Sequence, residues 1–218
     1  MDFFHFHIQM IQRSTGRSAV AAAAYRSGAR IVNTWDGTVH DYTRKQHVIY
    51  NEVMLPANAP PHFADRSMLW NSVEWAEKKR DAQLAREVEM ALPKELPRVA
   101  QIKLVRKFVQ KEFVDAGMCA DVAIHDKEKG NPHAHILLTV RPLNSDGSWA
   151  QKSRLVYDLD DAGQRIALPN GRWKCHKENM VDWDHRQNTE KWRKAAAETI
   201  NEALREYGFS QSFVDCKW

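Results

Sequence analysis

Apolar and polar residues alternate at the start of the chain, with Phe4, Phe6, Ile8 and Met10 on one side and Phe3, His5, His7 and Gln9 on the other. A period of two predicts a strand. The period then lengthens. "STGRSAVAAAAYRSGAR" predicts a helix from about Ser18, a good N-cap, to Gly28, which suits a left-handed C-terminus. "TWDGTVHDYTRKQHVIYNEVML" reads as a hairpin-like stretch, followed by the loop "PANAPPH". Asp65 can cap a helix from about Arg66 to Lys79, with Leu69, Val73 and Ala76 on one stripe. "QLAREVEMAL" predicts a strand closed by Pro93. From Pro97 to Ala116, the residues Val99, Ile102, Val105, Phe108, Val109 and Phe113 keep helical spacing until Gly117. "MCADVAIH" and "HAHILLTV" predict two strands joined by the turn-rich "DKEKGNP". Between Asn144 and Lys177, "DDAG" and "LPNG" punctuate short strands of unassigned role. A last amphipathic helix runs from about Asn188 to Tyr207 and stops at Gly208. This mixed order, with its hairpins, predicts an α+β fold. It should be a sandwich of two or three layers around a central, mostly antiparallel sheet.

Composition changes this picture little. The 218 residues are expected to form a single domain over 1–218. A 43% hydrophobic and 28% charged composition is that of a globular protein, and no run of about 18 apolar residues predicts a membrane span. "MDFFHFHIQM" lacks the features of a signal peptide. Three scattered cysteines, Cys119, Cys175 and Cys216, suggest reduced thiols in a cytosol. A net charge of +4 permits a nucleic-acid partner without requiring one.

The candidate chemistry begins at "HDKEKGNPHAHILLTV". On a strand, His133 and His135 project from one face. A hairpin across the seven-residue loop brings His125 beside His133, so three imidazoles can converge from two strands. Neutral imidazoles bind divalent first-row ions, and three ligands leave the open positions of a catalytic site. The competing interpretation is a set of hydrogen-bonded polar residues at a sheet end. A cupin-type His-x-His site would need a glutamate a few residues downstream, and "ILLTV" has none.

Tyr25 stands near the end of the alanine-rich helix, where Ser18, Ala21, Ala22, Tyr25 and Ala29 lie roughly along one stripe. A close-packing alanine face would leave its ring protruding at the helix end. A buried core tyrosine is the plain alternative, but Arg13, Arg17, Arg26 and Arg30 surround it, and such a cluster suits phosphate.

"GRSAVAAAAYRSG", "DYTRK", "LPANAP", "AREVEMALP" and "NPHAHILLTVR" occur in an order that resembles the MobA/MobL (MobQ-type) plasmid mobilisation relaxases. The chain is likewise similar to the relaxase part of TraA-type conjugation proteins. The resemblance covers almost the whole chain, least so from Asn144 to Lys177. It implies a His-hydrophobic-His endonuclease fold, a divalent metal (Mn2+ or Mg2+) on His125, His133 and His135, and a nucleophilic tyrosine at Tyr25. The acidic residue of the "REVE" strand falls on Glu87, with Glu89 on the same face as a competitor. His5 and His7 add imidazoles beyond the family pattern.

The implied reaction is a transesterification in which Tyr25 attacks a phosphodiester at an origin of transfer, leaving a 3′-hydroxyl and a 5′-phosphotyrosyl link that can be resealed. Phenols ionise near pH 10 and are weak nucleophiles at neutrality unless charge is stabilised nearby. Glu87 would orient a ligand histidine or accept the phenolic proton. Its plainer role would be a sheet-edge carboxylate paired with Arg86 or a lysine. Lys78, Lys79 and Arg80 join the arginines around Tyr25 as candidate phosphate contacts, although "EKKR" also reads as a solvated helix end. The eight tryptophans divide between core positions and base-stacking ones.

The partners implied are single-stranded or hairpin DNA, accessory relaxosome proteins and a coupling protein. The chain is expected as a monomer in a bacterial cytoplasm, with export of the DNA-linked form and continuation into primase or helicase regions. Three other functions compete: a non-catalytic DNA-binding protein, a replication initiator or transposase-like nickase, and a hydrolytic metallonuclease. Initiators and transposases of this superfamily usually carry the tyrosine after the histidine pair, and here it comes before.

Overall fold

The computed structural model describes residues 5–127 and 130–209. Phe3, Phe4, Cys216 and two residues of the loop before His133 lie outside them. In chain order the first elements are β1 (Phe6–Gln12), α1 (Ala19–Ser27), β2 (Arg30–Val32), β3 (Val39–Asp41), β4 (Val48–Met54) and α2 (Arg66–Ala76). Then follow β5 (Gln83–Ala91), α3 (Arg98–Val109), β6 (Ala120–His125), β7 (His133–Thr139), β8 (Ser153–Tyr157), β9 (Cys175–Asn179) and α4 (Arg186–Glu206).

Five strands form one sheet in the order β1-β5-β7-β6-β4, and every neighbouring pair is antiparallel. Period-two alternation splits its side chains between two apolar clusters. On one face, Val88, Met90, Val122, Ile124, Ala134, Ile136 and Leu138 pack against Leu104 and Phe108 of α3 and Trp192 and Ile200 of α4. On the other, Ile11, Ala85 and Leu137 meet the alanines of α1 and Leu69, Trp70 and Val73 of α2. The sandwich therefore has three layers, with helices on both faces.

The caps that the sequence predicts are present. The Ser18 hydroxyl accepts from the Ala21 N–H at 3.1 Å, and the Asp65 carboxylate accepts from the Met68 N–H at 2.8 Å. Gly28 ends α1 at φ 67°, a left-handed conformation in which an L side chain would be strained.

Three expectations change. The close-packed stripe of α1 is Ala19, Val20, Ala23, Ala24 and Ser27, while Ala21 and Tyr25 lie on the outer side. Second, α2 stops at Ala76 instead of continuing to Lys79. The next residue, Glu77, turns inward, where its carboxylate accepts from Arg141 and Lys152, both at 2.9 Å, and its carbonyl accepts from Arg13. Third, the hairpin-like stretch divides. Strands β2 and β3 pair with each other, whereas β4 crosses to pair with β6. The span from Asn144 to Lys177 carries β8, paired with β9 in an exposed two-stranded ribbon.

Candidate active site

The β6–β7 hairpin sets His125 opposite His133 and Ala123 opposite His135. Ring centroids are 5.5 Å apart for His125–His133, 4.7 Å for His125–His135 and 4.9 Å for His133–His135. One ring nitrogen from each lies within 4.8 Å of the others. Each ring also faces a protein oxygen that can only accept, which fixes where its proton sits. His125 Nε2 donates to the Arg26 carbonyl at 2.6 Å. His133 Nδ1 donates to the Asn131 carbonyl at 2.8 Å, and His135 Nδ1 to Glu87 Oε1 at 3.2 Å. These bonds leave Nδ1 of His125 and Nε2 of the other two rings as lone-pair donors, which is how proteins orient metal-binding imidazoles. Burial lowers the His125 pKa to about 4, against the raising effect of its bond to Arg26, and burial also lowers that of His135. Both rings are held neutral, the form that coordinates cations. The set fits a divalent ion.

Glu87 lies on β5 between β1 and β7, not at a sheet edge, and is 1% exposed. Its carboxylate is bonded by Arg26, by His135 and by Gln9 Nε2 at 2.8 Å, with Arg17 at 3.6 Å. Burial alone would raise its pKa, but the bonds from His135 and Arg26 prevail and hold it at about 2. Arg86 points to the opposite face and pairs with Asp184 at 2.5 Å. Glu89 stands farther from the triad, 3.9 Å from His135 Nδ1 and 3.8 Å from the exposed His5 ring.

Tyr25 is 43% exposed at the end of α1, so it is no core residue. The next residue ties this helix end to the site twice: the Arg26 carbonyl accepts from His125, and its guanidinium donates to Glu87. Tyr42 meets the Tyr25 ring edge-on at 5.1 Å, and Lys45 Nζ lies 3.5 Å from the ring centroid. The Lys45 charge also acts on His125. "DYTRK" contributed only to the family resemblance; an isolated lysine in a connecting loop gives no signal that would have identified Lys45 from sequence.

The candidate phosphate contacts separate into three groups. Arg17 and Arg26 reach the Glu87 carboxylate. Arg30 is exposed, 3.7 Å from Asp41. Arg13 departs from expectation. Its guanidinium bonds the Glu74 carboxylate at 2.7 Å and backbone carbonyls around it, while Glu74 also accepts from the Ser18 hydroxyl and Ala19 N–H. Arg13 thus joins the start of α1 to α2. Lys78, Lys79 and Arg80 follow α2 where Gln83 pairs with Gln12. Six residues along β5 separate this end from Glu89, about 20 Å at strand spacing. Lys78 and Lys79, with Arg141, Lys152 and Lys177, line a cleft of about 640 Å³ there.

A family model described as the MobA/MobL family matches residues 17–216. The conjugal transfer protein TraA of Agrobacterium fabrum is 41% identical over 182 residues, which is 79% of this chain and 16% of that protein. The mobilization protein MobL of Acidithiobacillus ferridurans is 34% identical over 233 residues, 95% of this chain and 56% of that one. The chain therefore spans only part of the relatives it matches. A solved structure described as the molecular basis of vancomycin resistance transfer in Staphylococcus aureus superposes with a TM-score of 0.84 at 29% identity, covering 100% of both chains.

Proposed function

The chain belongs to the MobA/MobL family, and from that membership we propose that residues 1–218 act as one relaxase domain, a strand-specific DNA transesterase working at an origin of transfer. The observation that carries this reading is the junction at Arg26, which holds the helix end bearing Tyr25 against His125 and Glu87.

In the reaction, the Tyr25 phenolic oxygen forms a bond to phosphorus as the bond from phosphorus to the 3′ oxygen breaks. The phenolic proton leaves, the 3′ oxygen gains one, and the 5′ phosphate stays on the tyrosine. Bond number is conserved, so no nucleoside triphosphate is consumed and the reverse step reseals the strand. His125, His133 and His135 would hold the divalent ion, and three imidazole nitrogens suit Mn2+ better than Mg2+, which prefers oxygen donors. When bound, the ion supplies charge against the phosphate oxygens. The Glu87 carboxylate orients His135 and anchors Arg26; a group held near pKa 2 is a weak base, so the phenolic proton goes elsewhere. Arg17, Arg26 and Arg30 remain the candidate contacts to the backbone of single-stranded or hairpin DNA near Tyr25. Lys78, Lys79 and Arg80 would act on a more distant segment. Relaxosome and coupling partners, and export of the DNA-linked form, belong to the same reading.

The test is incubation with end-labelled single-stranded origin DNA and Mn2+, followed by a denaturing gel. The expected product is a protease-sensitive adduct on the new 5′ end, with a free 3′-hydroxyl on the other fragment, lost in Tyr25→Phe with DNA affinity within about threefold of the parent. Free 5′-phosphate ends without adduct would make the chain a hydrolytic nuclease instead.

A further inference from the structure

The connection between β3 and β4 crosses the end of α1 and is fixed at several points. The Tyr42 N–H donates to the Ala29 carbonyl at 3.1 Å, and the Asp126 N–H, next to His125, donates to the His47 carbonyl at 3.0 Å. His47 itself sits at φ 74°, the sole non-glycine residue with positive φ among the described residues. Such a backbone persists only where its surroundings over-determine it. Between these anchors stands Lys45, whose Nζ donates to the Tyr25 carbonyl at 2.9 Å and lies 3.5 Å from the centroid of the Tyr25 ring. Arg26 is also near the ring, at 5.0 Å, but Glu87 engages its guanidinium. Lys45 is therefore the closer and less committed cation.

We propose that Lys45 is a positioning residue for Tyr25, holding the ring in place and stabilising the negative charge that develops on it during strand transfer. The proposal rests on the reading of Tyr25 as nucleophile. As the oxygen–phosphorus bond forms and the phenolic proton departs, charge spreads from the oxygen into the ring beneath the ammonium. The same cation favours phenolate as leaving group when the strand is resealed. Lys45 keeps its proton throughout and forms no covalent bond.

The charges around it are mixed. Burial lowers the Lys45 pKa to about 8, helped by Arg26 and Lys127 and opposed by Glu87. Lys45 in turn acts on His125, and Tyr42 meets the Tyr25 ring edge-on.

The experiment compares Lys45→Gln and Lys45→Arg with the parent chain in single-turnover nicking of single-stranded origin DNA with Mn2+. Metal and DNA affinities are measured on the same samples. Lys45→Gln is expected to nick about 30-fold more slowly at saturating DNA, with both affinities within about threefold of the parent. Lys45→Arg should retain a rate within about threefold of the parent, because it restores the cation over the ring. It should also hold that rate to higher pH, since the lysine loses its charge as pH rises and arginine does not. Equal rates in Lys45→Gln and the parent, equal damage in both variants, or a loss confined to DNA affinity would each overturn the proposal. Tyr25→Phe separates the two readings. If that variant still forms the adduct, the nucleophile is misassigned; if it is inactive while Lys45→Gln is unimpaired, only the role of Lys45 fails.

Discussion

Along β7, Ala134, Ile136 and Leu138 point toward α3 and α4, while His133, His135 and Leu137 point toward α1. On β5, Val88 and Met90 share the first face, and Glu87 and Glu89 the second. The two faces are built from neighbouring residues of the same strands yet hold their residues in place by different means. The face toward α3 and α4 is held mainly by burial, with Arg86 paired to Asp184, whereas the buried polar groups of the site are fixed by named partners: His125 by Arg26, His135 by Glu87, and Glu87 by Arg26 and Gln9. Both faces carry an apolar cluster, but only the second also holds the fixed polar groups of the site, so substitutions at Ile136 and at the histidines should fail differently.

The largest expected effect is on the polar face. Replacing both His133 and His135 by alanine should remove measurable Mn2+ binding in a calorimetric titration and abolish nicking, with the double variant little worse in activity than the more damaged single one. Near-additive losses would mean that the rings do not act as one unit. On the apolar face, Ile136→Ala should cost about 2–5 kcal/mol in urea unfolding and leave Mn2+ affinity within about threefold. A matching loss of metal affinity would show that the faces are not independent.

A smaller effect is expected from Glu87→Gln, which keeps the shape and removes the charge that His135 and Arg26 share. It should weaken Mn2+ binding about 10- to 100-fold. Unchanged affinity would leave Glu87 without an orienting role. The smallest effect concerns acid. His125 titrates near 4 in the folded chain, below the ordinary 6.5, so its contribution to stability is complete above pH 6.5. That contribution is lost as pH falls from about 6.5 toward 4, on the order of 1–2 kcal/mol after allowing for solvent at the site's margin. The loss from Glu87 comes lower, between its ordinary 4.5 and about 2. Unfolding curves from pH 7 to 5 with chelator present should already show the histidine part; a flat profile there would count against it.

Much of this division is legible in the sequence. Alternation in "HAHILLTV" separates the two faces of β7, and the short loop after His125 sets the hairpin that joins the three rings. Cap residues marked the start of α1 and α2 because capping is a local event. What could not be read was long-range. The partners of Glu87 come from β1, α1 and β7, as many as 78 residues away, so its removal from any sheet edge had no local sign. Arg13 looked like a phosphate contact because nothing near it in sequence announces Glu74, 61 residues on. The protrusion of Tyr25 was legible at the helix end, but the packed stripe of α1 was not, for a different reason. In a run of alanines every face looks packable, and the layers above and below decide which one is buried.

The bond from His125 to the Arg26 carbonyl joins a sheet residue to the final turn of a nine-residue helix. Short helices fray from their ends, and fraying here would withdraw the acceptor that keeps the His125 proton on Nε2. Helix order and imidazole tautomer are thus reciprocal: whatever favours lone-pair donation from Nδ1 also favours the closed helix end, by the same free energy. A cation bound at the histidine site would therefore be expected to order the backbone beneath Tyr25 as well.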